Sequence, residues 1–314
     1  MEDPIVAVSG AINWDINLFV SRFGRPGEEV PVPKIERVPG GKGANVAVAA
    51  ARILGKDECA MVGGIGNDEI GNKHLQIFSE EGVDNRYLIR FKEVESGQAY
   101  IIIDKKGENQ INTYFGANIA LKTADAEGIK ELLFKIKFLV IMDPPIDFTG
   151  KLLSLSKNAI KLWAPGVRVY SDRKFVISRL GDINYLILNE HEMFDISGLT
   201  DIAKVYEELK ENNPNLRVIV TQGSKGVSLY TPSDTCFIEG IDLRRLGLKV
   251  VNTTGCGDAF IGAFVANLAL GLPEKSALEM ANLAGAIKAS RFETRGSPTR
   301  KELDNYYKEL SIKP

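Results

Sequence analysis

Cysteine and histidine are scarce in this 314-residue chain, with three of the first and two of the second. Cys59, Cys236 and Cys256 are odd in number and far apart, so they form neither a metal spacing nor a disulfide framework, and their pattern fits a reducing cytoplasm. His191-Glu192-Met193-Phe194-Asp195 lacks the second His of a zinc-protease helix, which leaves a metal hydrolase without support. An excess of charge is missing too: 39 basic residues stand against 41 acidic ones, and no basic stripe is interleaved with aromatics. Nucleic acid is therefore not an expected partner. The longest apolar stretch, around Ala259 to Leu272, is too short and too interrupted to span a bilayer. After Glu2 and Asp3 the chain enters a strand-like apolar run with no signal-peptide pattern, so a cytoplasmic protein is expected. The common phosphate-binding signatures are absent as well. Gly41-Lys42, Gly55-Lys56 and Gly150-Lys151 are each followed by something other than Ser or Thr, which excludes a P-loop. The pair Gly41 and Gly43 is followed by Val46 where a dinucleotide fingerprint needs its third Gly.

What is present concentrates in two glycine clusters. In Val251-Asn252-Thr253-Thr254-Gly255-Cys256-Gly257-Asp258-Ala259-Phe260 a β-branched pair leads into a Gly-x-Gly turn, and an Ala-rich segment at helical spacing follows. The turn should sit at a helix N-terminus, where unpaired N–H groups and the positive end of the helix dipole favour an anion such as a phosphate in transit. Asp258 falls in the first turn of that helix, placed to take a proton from a hydroxyl nucleophile. An ordinary N-capping Asp is the plain alternative. The second cluster, Val38-Pro39-Gly40-Gly41-Lys42-Gly43-Ala44-Asn45, opens a small-residue helix that runs to Leu54, with Gly55 in the C-cap position.

Between the clusters the period of the apolar residues changes repeatedly. Ile5 to Val8, Phe138 to Met142, Tyr185 to Leu188 and Val218 to Val220 read as buried strands, with helical spacing between them. Such alternation predicts an α/β fold with a mostly parallel central sheet covered by helices on both faces. Two stretches depart from it, from about Asn17 to Val38 and from about Gly97 to Phe115. They alternate, carry turn residues and show no helix, which predicts antiparallel strands outside the main sheet. No internal repeats or low-complexity tracts are apparent.

With Gly10-Ala11-Ile12-Asn13-Trp14-Asp15 upstream, the two clusters together resemble the paired signatures of the ribokinase-like (PfkB) family of small-molecule kinases, over nearly the whole chain. Ser96-Gly97-Gln98-Ala99 with Asn112-Thr113-Tyr114-Phe115-Gly116-Ala117-Asn118 resembles that family's second lid hairpin. Leu188-Asn189-Glu190-His191-Glu192 resembles its Asn-x-x-Glu motif, and Thr221-Gln222-Gly223-Ser224-Lys225-Gly226 its Thr-x-Gly-x-x-Gly turn. The resemblance implies one ribokinase-like domain over residues 1–314, with a small β lid that closes over the acceptor and often supplies a homodimer contact. The exposed lid edge at Ile101 to Ile103 fits a strand-paired dimer. Pro39-Gly40-Gly41 would be the hinge.

The resemblance also distributes roles. Asp258 would be the general base, with Gly255, Cys256 and Gly257 presenting N–H groups to the migrating phosphoryl oxygens. Cys256 stands where relatives usually carry Ala; packing explains it better than a reactive thiol, although a helix N-terminus lowers thiol pKa. Asn13, Asp15, Gly41, Lys42, Asn45 and Asp143 would bind the acceptor. Asn189, Thr221, Gly223, Gly226 and Asn282 would line the nucleotide, ATP or ADP, and Glu192 would hold Mg²⁺ through water. Asn189 followed by Glu192 is equally a capping box, and both can hold at once. Lys42, by the same resemblance, favours a free sugar, ribose first, or a sugar phosphate over a nucleoside, whereas the Asp143-Pro144 pairing looks more like archaeal nucleoside kinases. Trp163-Ala164-Pro165-Gly166-Val167-Arg168, with Arg173 and Lys174 after it, adds cations that would suit ribose 1-phosphate if they reach the pocket. Asn252 stands where ribokinases place an Asp that helps bind a monovalent cation, which weakens the case for potassium activation. The expected activity is thus phosphoryl transfer to the primary hydroxyl of a ribose-type acceptor, with a nucleoside or sugar-phosphate kinase as alternatives. A non-catalytic sugar or nucleotide sensor is the different-class alternative, and Asp258 argues against it because a binding protein has no use for a base.

Overall fold

Val6-Ala7-Val8-Ser9 and Phe138-Leu139-Val140-Ile141 are buried at every position, the mark of strands covered on both faces. They lie side by side in the middle of the larger of two sheets in the computed structural model, which describes residues 3–312. Its ten strands run in the order Thr235–Glu239, Gly226–Tyr230, Arg217–Thr221, Tyr185–Asn189, Ile160–Trp163, Phe138–Ile141, Val6–Ser9, Cys59–Gly66 and Val83–Asp84, with Leu88–Phe91 also pairing on Cys59–Gly66. Pairing is parallel from Arg217–Thr221 to Val83–Asp84; Gly226–Tyr230 pairs antiparallel with both of its neighbours, Arg217–Thr221 and Thr235–Glu239. The two-residue period splits the sheet's side chains between two cores, Val6 and Val8 facing one and Ala7 the other.

Four helices carry the glycine clusters, the Asn-x-x-Glu motif and Asn282: α1 (Lys42–Leu54), α2 (Glu190–Ser197), α3 (Cys256–Ala269) and α4 (Glu274–Ala289). The alanines of α1 let α3 approach so closely that a Cβ on Gly262 would stand 2.5 Å from the Cβ of Ala49. Both glycine clusters therefore open helices that pack on each other, which brings residues about two hundred positions apart to one edge of the sheet.

The smaller sheet has four strands, in the order Lys34–Gly40, Asn13–Phe19, Gly97–Ile103 and Asn109–Tyr114. Its outer pairs are antiparallel, as expected, but the central pair, Asn13–Phe19 with Gly97–Ile103, is parallel, so the sheet is mixed, and Ile101 to Ile103 lie on an inner strand paired on both sides rather than on the expected lid edge. Alternation along one strand reveals the strand, not the direction of a neighbour more than eighty residues away. The first strand also begins at Asn13 rather than near Asn17, and the described segment 20–33 contributes no strand. Asn13 and Asp15 consequently belong to the lid sheet itself.

Candidate active site between the sheet edge and the lid

Open α/β sheets bind ligands beyond the carboxyl ends of their parallel strands. Gly255 caps α3 there with φ of 84°, in the left-handed region, and a Cβ on it would run into the carbonyl of Thr294. The turn starts α3 at Cys256, and Asp258 lies in its first turn. The N–H of Cys256 donates to Thr253 O at 3.2 Å, so this N–H serves the turn, while Gly257 lines the adjoining cavity. The Cys256 thiol is pushed up by burial, with Lys288 opposing and Asp258 reinforcing the shift. Cys256 is half-buried and lines the larger of the two cavities described below.

Asp258 Oδ2 accepts a hydrogen bond from Asn45 Nδ2 at 2.8 Å, joining the first turns of α1 and α3. Burial raises the Asp258 pKa; the Asn45 bond and the charges of Lys42 and Arg295 pull it down, and Asp143 pushes it up. Asn45 is held in the orientation that offers its NH₂ to Asp258, because Arg295 Nε donates to Asn45 Oδ1 at 3.1 Å. The same guanidinium donates from Nη2 to Gly40 O at 2.8 Å, tying the last lid residue before α1 to the Asn45–Asp258 pair.

On the acceptor side, Asn13 Oδ1 accepts from Asn118 Nδ2 at 2.8 Å, and Asn118 Oδ1 accepts from Ile12 N at 2.8 Å. Asp15 is 9% exposed, and its pKa is raised to about 6 by burial, with Arg295 opposing and Asp258 reinforcing. Gly41 has φ of 91°, and a Cβ there would stand 2.5 Å from Ala11 O, which is why the turn into α1 needs glycine. Lys42 is exposed to the cleft, its ammonium beside Gly166. Asp143 Oδ1 accepts from Ala11 N at 3.1 Å and so holds the end of the first strand. Asp143 and Lys42 both act on the charge of Asp258.

Toward the donor side, Asn189 caps α2: its side chain accepts from Glu192 N at 2.9 Å, and Glu192 Oε2 accepts from Asn189 N at 3.0 Å. The capping-box alternative is thus realised, with Glu192 Oε1 left on the side of Gly166. A cavity of about 160 Å³ is lined by Lys42, Gly166, Asn189, Glu192, Gly257 and Asp258, among others. A second, of about 290 Å³, is lined by Gly223, Gly226, Val250, Phe260 and Asn282, among others. Thr221 and Gly257 border both, so the larger cavity adjoins the one lined by Asp258. Asn282 donates from Nδ2 to Glu239 O at 2.8 Å. Among the described residues no cluster of three or more His, Cys, Asp or Glu has the makings of a protein-built metal cage, and no helix is long and apolar enough to cross a membrane.

The model of the pfkB family carbohydrate kinases matches residues 4–301. The chain belongs to this family of kinases. It is 30% identical over 317 residues to a ribokinase of Lactococcus lactis, with 98% of each chain covered. It is 28% identical to an ATP-dependent ribose-1-phosphate kinase of Halopiger xanaduensis, over 94% of this chain and 95% of the other. The crystal structure of Thermotoga maritima ribokinase superposes with a TM-score of 0.85 at 29% identity, covering 97% of this chain and 99% of that one. A pfkB kinase is an enzyme, which sets the sensor alternative aside.

The site of this kinase draws in two further residues, Arg295, which lies outside every motif, and Asn118, which ends the lid-hairpin motif. Arg295 and Asn118 reach it from 250 and 105 positions away from Asn45 and Asn13. Arg295 follows Glu293-Thr294 in a turn that reads as solvated surface, yet it is 7% exposed. Arg168 behaves oppositely. It donates to Asp172 Oδ2 at 2.8 Å and to Pro144 O at 3.2 Å, so this cation is already engaged beside the acceptor strand.

Proposed function

We propose that this kinase moves the terminal phosphoryl group of ATP or ADP to the primary hydroxyl of a ribose-type acceptor, with free ribose the first choice. The observation that carries the reading is the Asn45–Asp258 hydrogen bond, with Asp258 lining the smaller cavity and near enough to Asp15 on the lid strand to act on its charge. An acceptor whose vicinal hydroxyls donate to Asp15 presents its remaining hydroxyl toward Asp258. That hydroxyl loses its proton to the Asp258 carboxylate as its oxygen bonds to phosphorus. The bond from phosphorus to the bridging oxygen breaks, and the nucleotide leaves one phosphate shorter. Gly257 and the start of α3 favour the charge on the transferring oxygens, and Lys42 adds a cation on the cleft side.

The residues present fit Mg²⁺ held through water. Glu192 keeps Oε1 on the cavity side, and the lack of a built cage among the described residues suits an ion bound mainly by phosphates and water. When bound, such an ion supplies charge neutralisation between phosphate oxygens. Arg168 is bonded to Asp172 and Pro144 but keeps its Nε without a partner, so it does not decide between ribose and ribose 1-phosphate. Ile35, Tyr100, Ile111 and Tyr114 are exposed apolar residues on the lid sheet, and we place the homodimer contact there. The test is a coupled phosphorylation assay with Mg²⁺ that crosses ATP and ADP against ribose, ribose 1-phosphate, adenosine, cytidine and fructose 6-phosphate. Ribose is expected to give the highest kcat/KM. A nucleoside or ribose 1-phosphate ahead of ribose by tenfold or more (about 1.4 kcal/mol) overturns the acceptor choice.

A further inference from the structure

Lys288 lies in the last turn of α4, where a lysine ordinarily leads its charge out to water. Here it is 0% exposed. Its Nζ donates to two main-chain carbonyls, Asn252 O at 2.9 Å and Arg291 O at 3.3 Å, and among the described residues it forms no ion pair. Burial of an ammonium without a carboxylate is costly, so the surrounding oxygens must hold it. Burial lowers its pKa; Cys256, Glu293 and Asp258 favour the charged form, and Arg291 opposes it.

The place of this charge is specific. Val251 N and Asn252 N both donate to Ala289 O, at 2.8 and 3.1 Å, and Asn252 Nδ2 donates to Phe292 O at 2.7 Å. Asn252 Oδ1 accepts from Thr254 N at 3.0 Å, and Thr294 O backs Gly255. The ammonium therefore joins the segment that leads into the phosphoryl-binding turn to the segment that supports it from behind. Main-chain carbonyls gathered without a carboxylate are the donor set that suits a monovalent cation. The residues present do not fit an added alkali ion: the lysine's own head group takes these carbonyls, and Asn252 contributes an amide already bonded on both ends.

We propose that Lys288 supplies, as part of the chain, the monovalent positive charge behind the phosphoryl-binding turn, so that this kinase takes up no alkali cation there and works without potassium. The inference rests on reading Gly255 to Asp258 as the phosphoryl site. Its effect on turnover is that of a positioning residue: it holds Asn252 and, through it, the turn.

The test compares wild type, Lys288→Ala and Lys288→Met in KCl, NaCl and choline chloride at equal ionic strength, reading both kcat and the thermal unfolding midpoint. Wild type is expected to give the same kcat and midpoint in all three salts. Lys288→Ala is expected to lose about tenfold in kcat in choline chloride (about 1.4 kcal/mol) and to unfold at lower temperature. KCl or methylammonium chloride should restore part of both, because a small cation can enter the vacated space. Lys288→Met fills that space without charge and should show the loss with no restoration. A wild-type midpoint or kcat that rises in KCl over choline chloride overturns the proposal. So does a Lys288→Met protein with wild-type kcat, which also decides the matter if Lys288→Ala does not fold. Were the phosphoryl-site reading itself at fault, Asp258→Asn would keep its turnover while the midpoint of Lys288→Ala still responded to KCl.

Discussion

Replacing Asp15 by Asn should make this kinase more stable and a poorer catalyst at once. Asp15 is 9% exposed, and its carboxyl titrates near 6 rather than at its ordinary 3.8. The native state thus binds this proton more tightly than the unfolded chain does. Between pH 3.8 and about 6 the native state carries the larger share of protons, so stability falls as pH rises through that window, and above it the full cost of the buried charge is present. Two units of displacement correspond to ~3 kcal/mol at most. Asp15→Asn removes the ionisation and is expected to add about 1–3 kcal/mol at neutral pH and nothing below about pH 4. With unfolding entropy near ~2.1 cal/mol/K per residue, a chain of this length should gain about 2–5 °C in its unfolding midpoint. The assay is thermal unfolding of both proteins at neutral and acid pH, with acceptor KM measured alongside. KM should rise by about tenfold or more, since a hydrogen bond to a charged acceptor contributes about 1.5–3 kcal/mol. An Asn variant that is less stable at neutral pH, or a gain of equal size in acid, refutes the reasoning.

Asp258→Asn should lower kcat by ~10²–10⁴ with nucleotide affinity unchanged, and a variant keeping more than about a hundredth of the rate would sink the role of Asp258 as base. In wild type, acceptor KM should climb as pH falls through about 6, because protonated Asp15 is a poorer acceptor. Arg295→Met removes the cation that holds the Asp15 pKa down, so that climb should begin at higher pH; a pH profile identical to wild type would refute the coupling. Cys256→Ala should leave kcat within about twofold, and the native thiol should alkylate more slowly than free cysteine because burial raises its pKa. Rapid alkylation would contradict this.

Strands such as Tyr185–Asn189 and Arg217–Thr221 could be placed from their letters because burial on both faces demands an uninterrupted apolar run. The turn from Gly255 to Asp258 was legible for a different reason: its N–H groups and its acid are contiguous, so spacing alone puts them together. Arg295 and Lys288 escaped notice because each acts through partners remote in the chain and belongs to a type that is ordinarily exposed, whereas Asn118 lay within the lid-hairpin motif but took on a role only once Ile12 and Asn13 stood beside it. Arg168 shows the converse limit. Its letter promised a cation near the acceptor, but Asp172, four positions on in the same local turn, already pairs with it. The parallel centre of the small sheet was hidden because chain direction is decided by the crossover between the two hairpins, not by the hairpins themselves.

The start of the lid strand at Asn13 has a practical consequence for engineering. Asn13 and Asp15 stand on the same strand, and the mate of that strand, Gly97–Ile103, leads on to Asn118. The proposed acceptor site draws on the lid segments 13–40 and 97–118 and, outside them, on Gly41, Lys42, Asn45 and Asp143, while the proposed nucleotide residues lie elsewhere in the chain. A graft of these lid segments between family members, made to exchange sugar preference, would therefore have to carry Gly41, Lys42, Asn45, Asp143 and Arg295 with it.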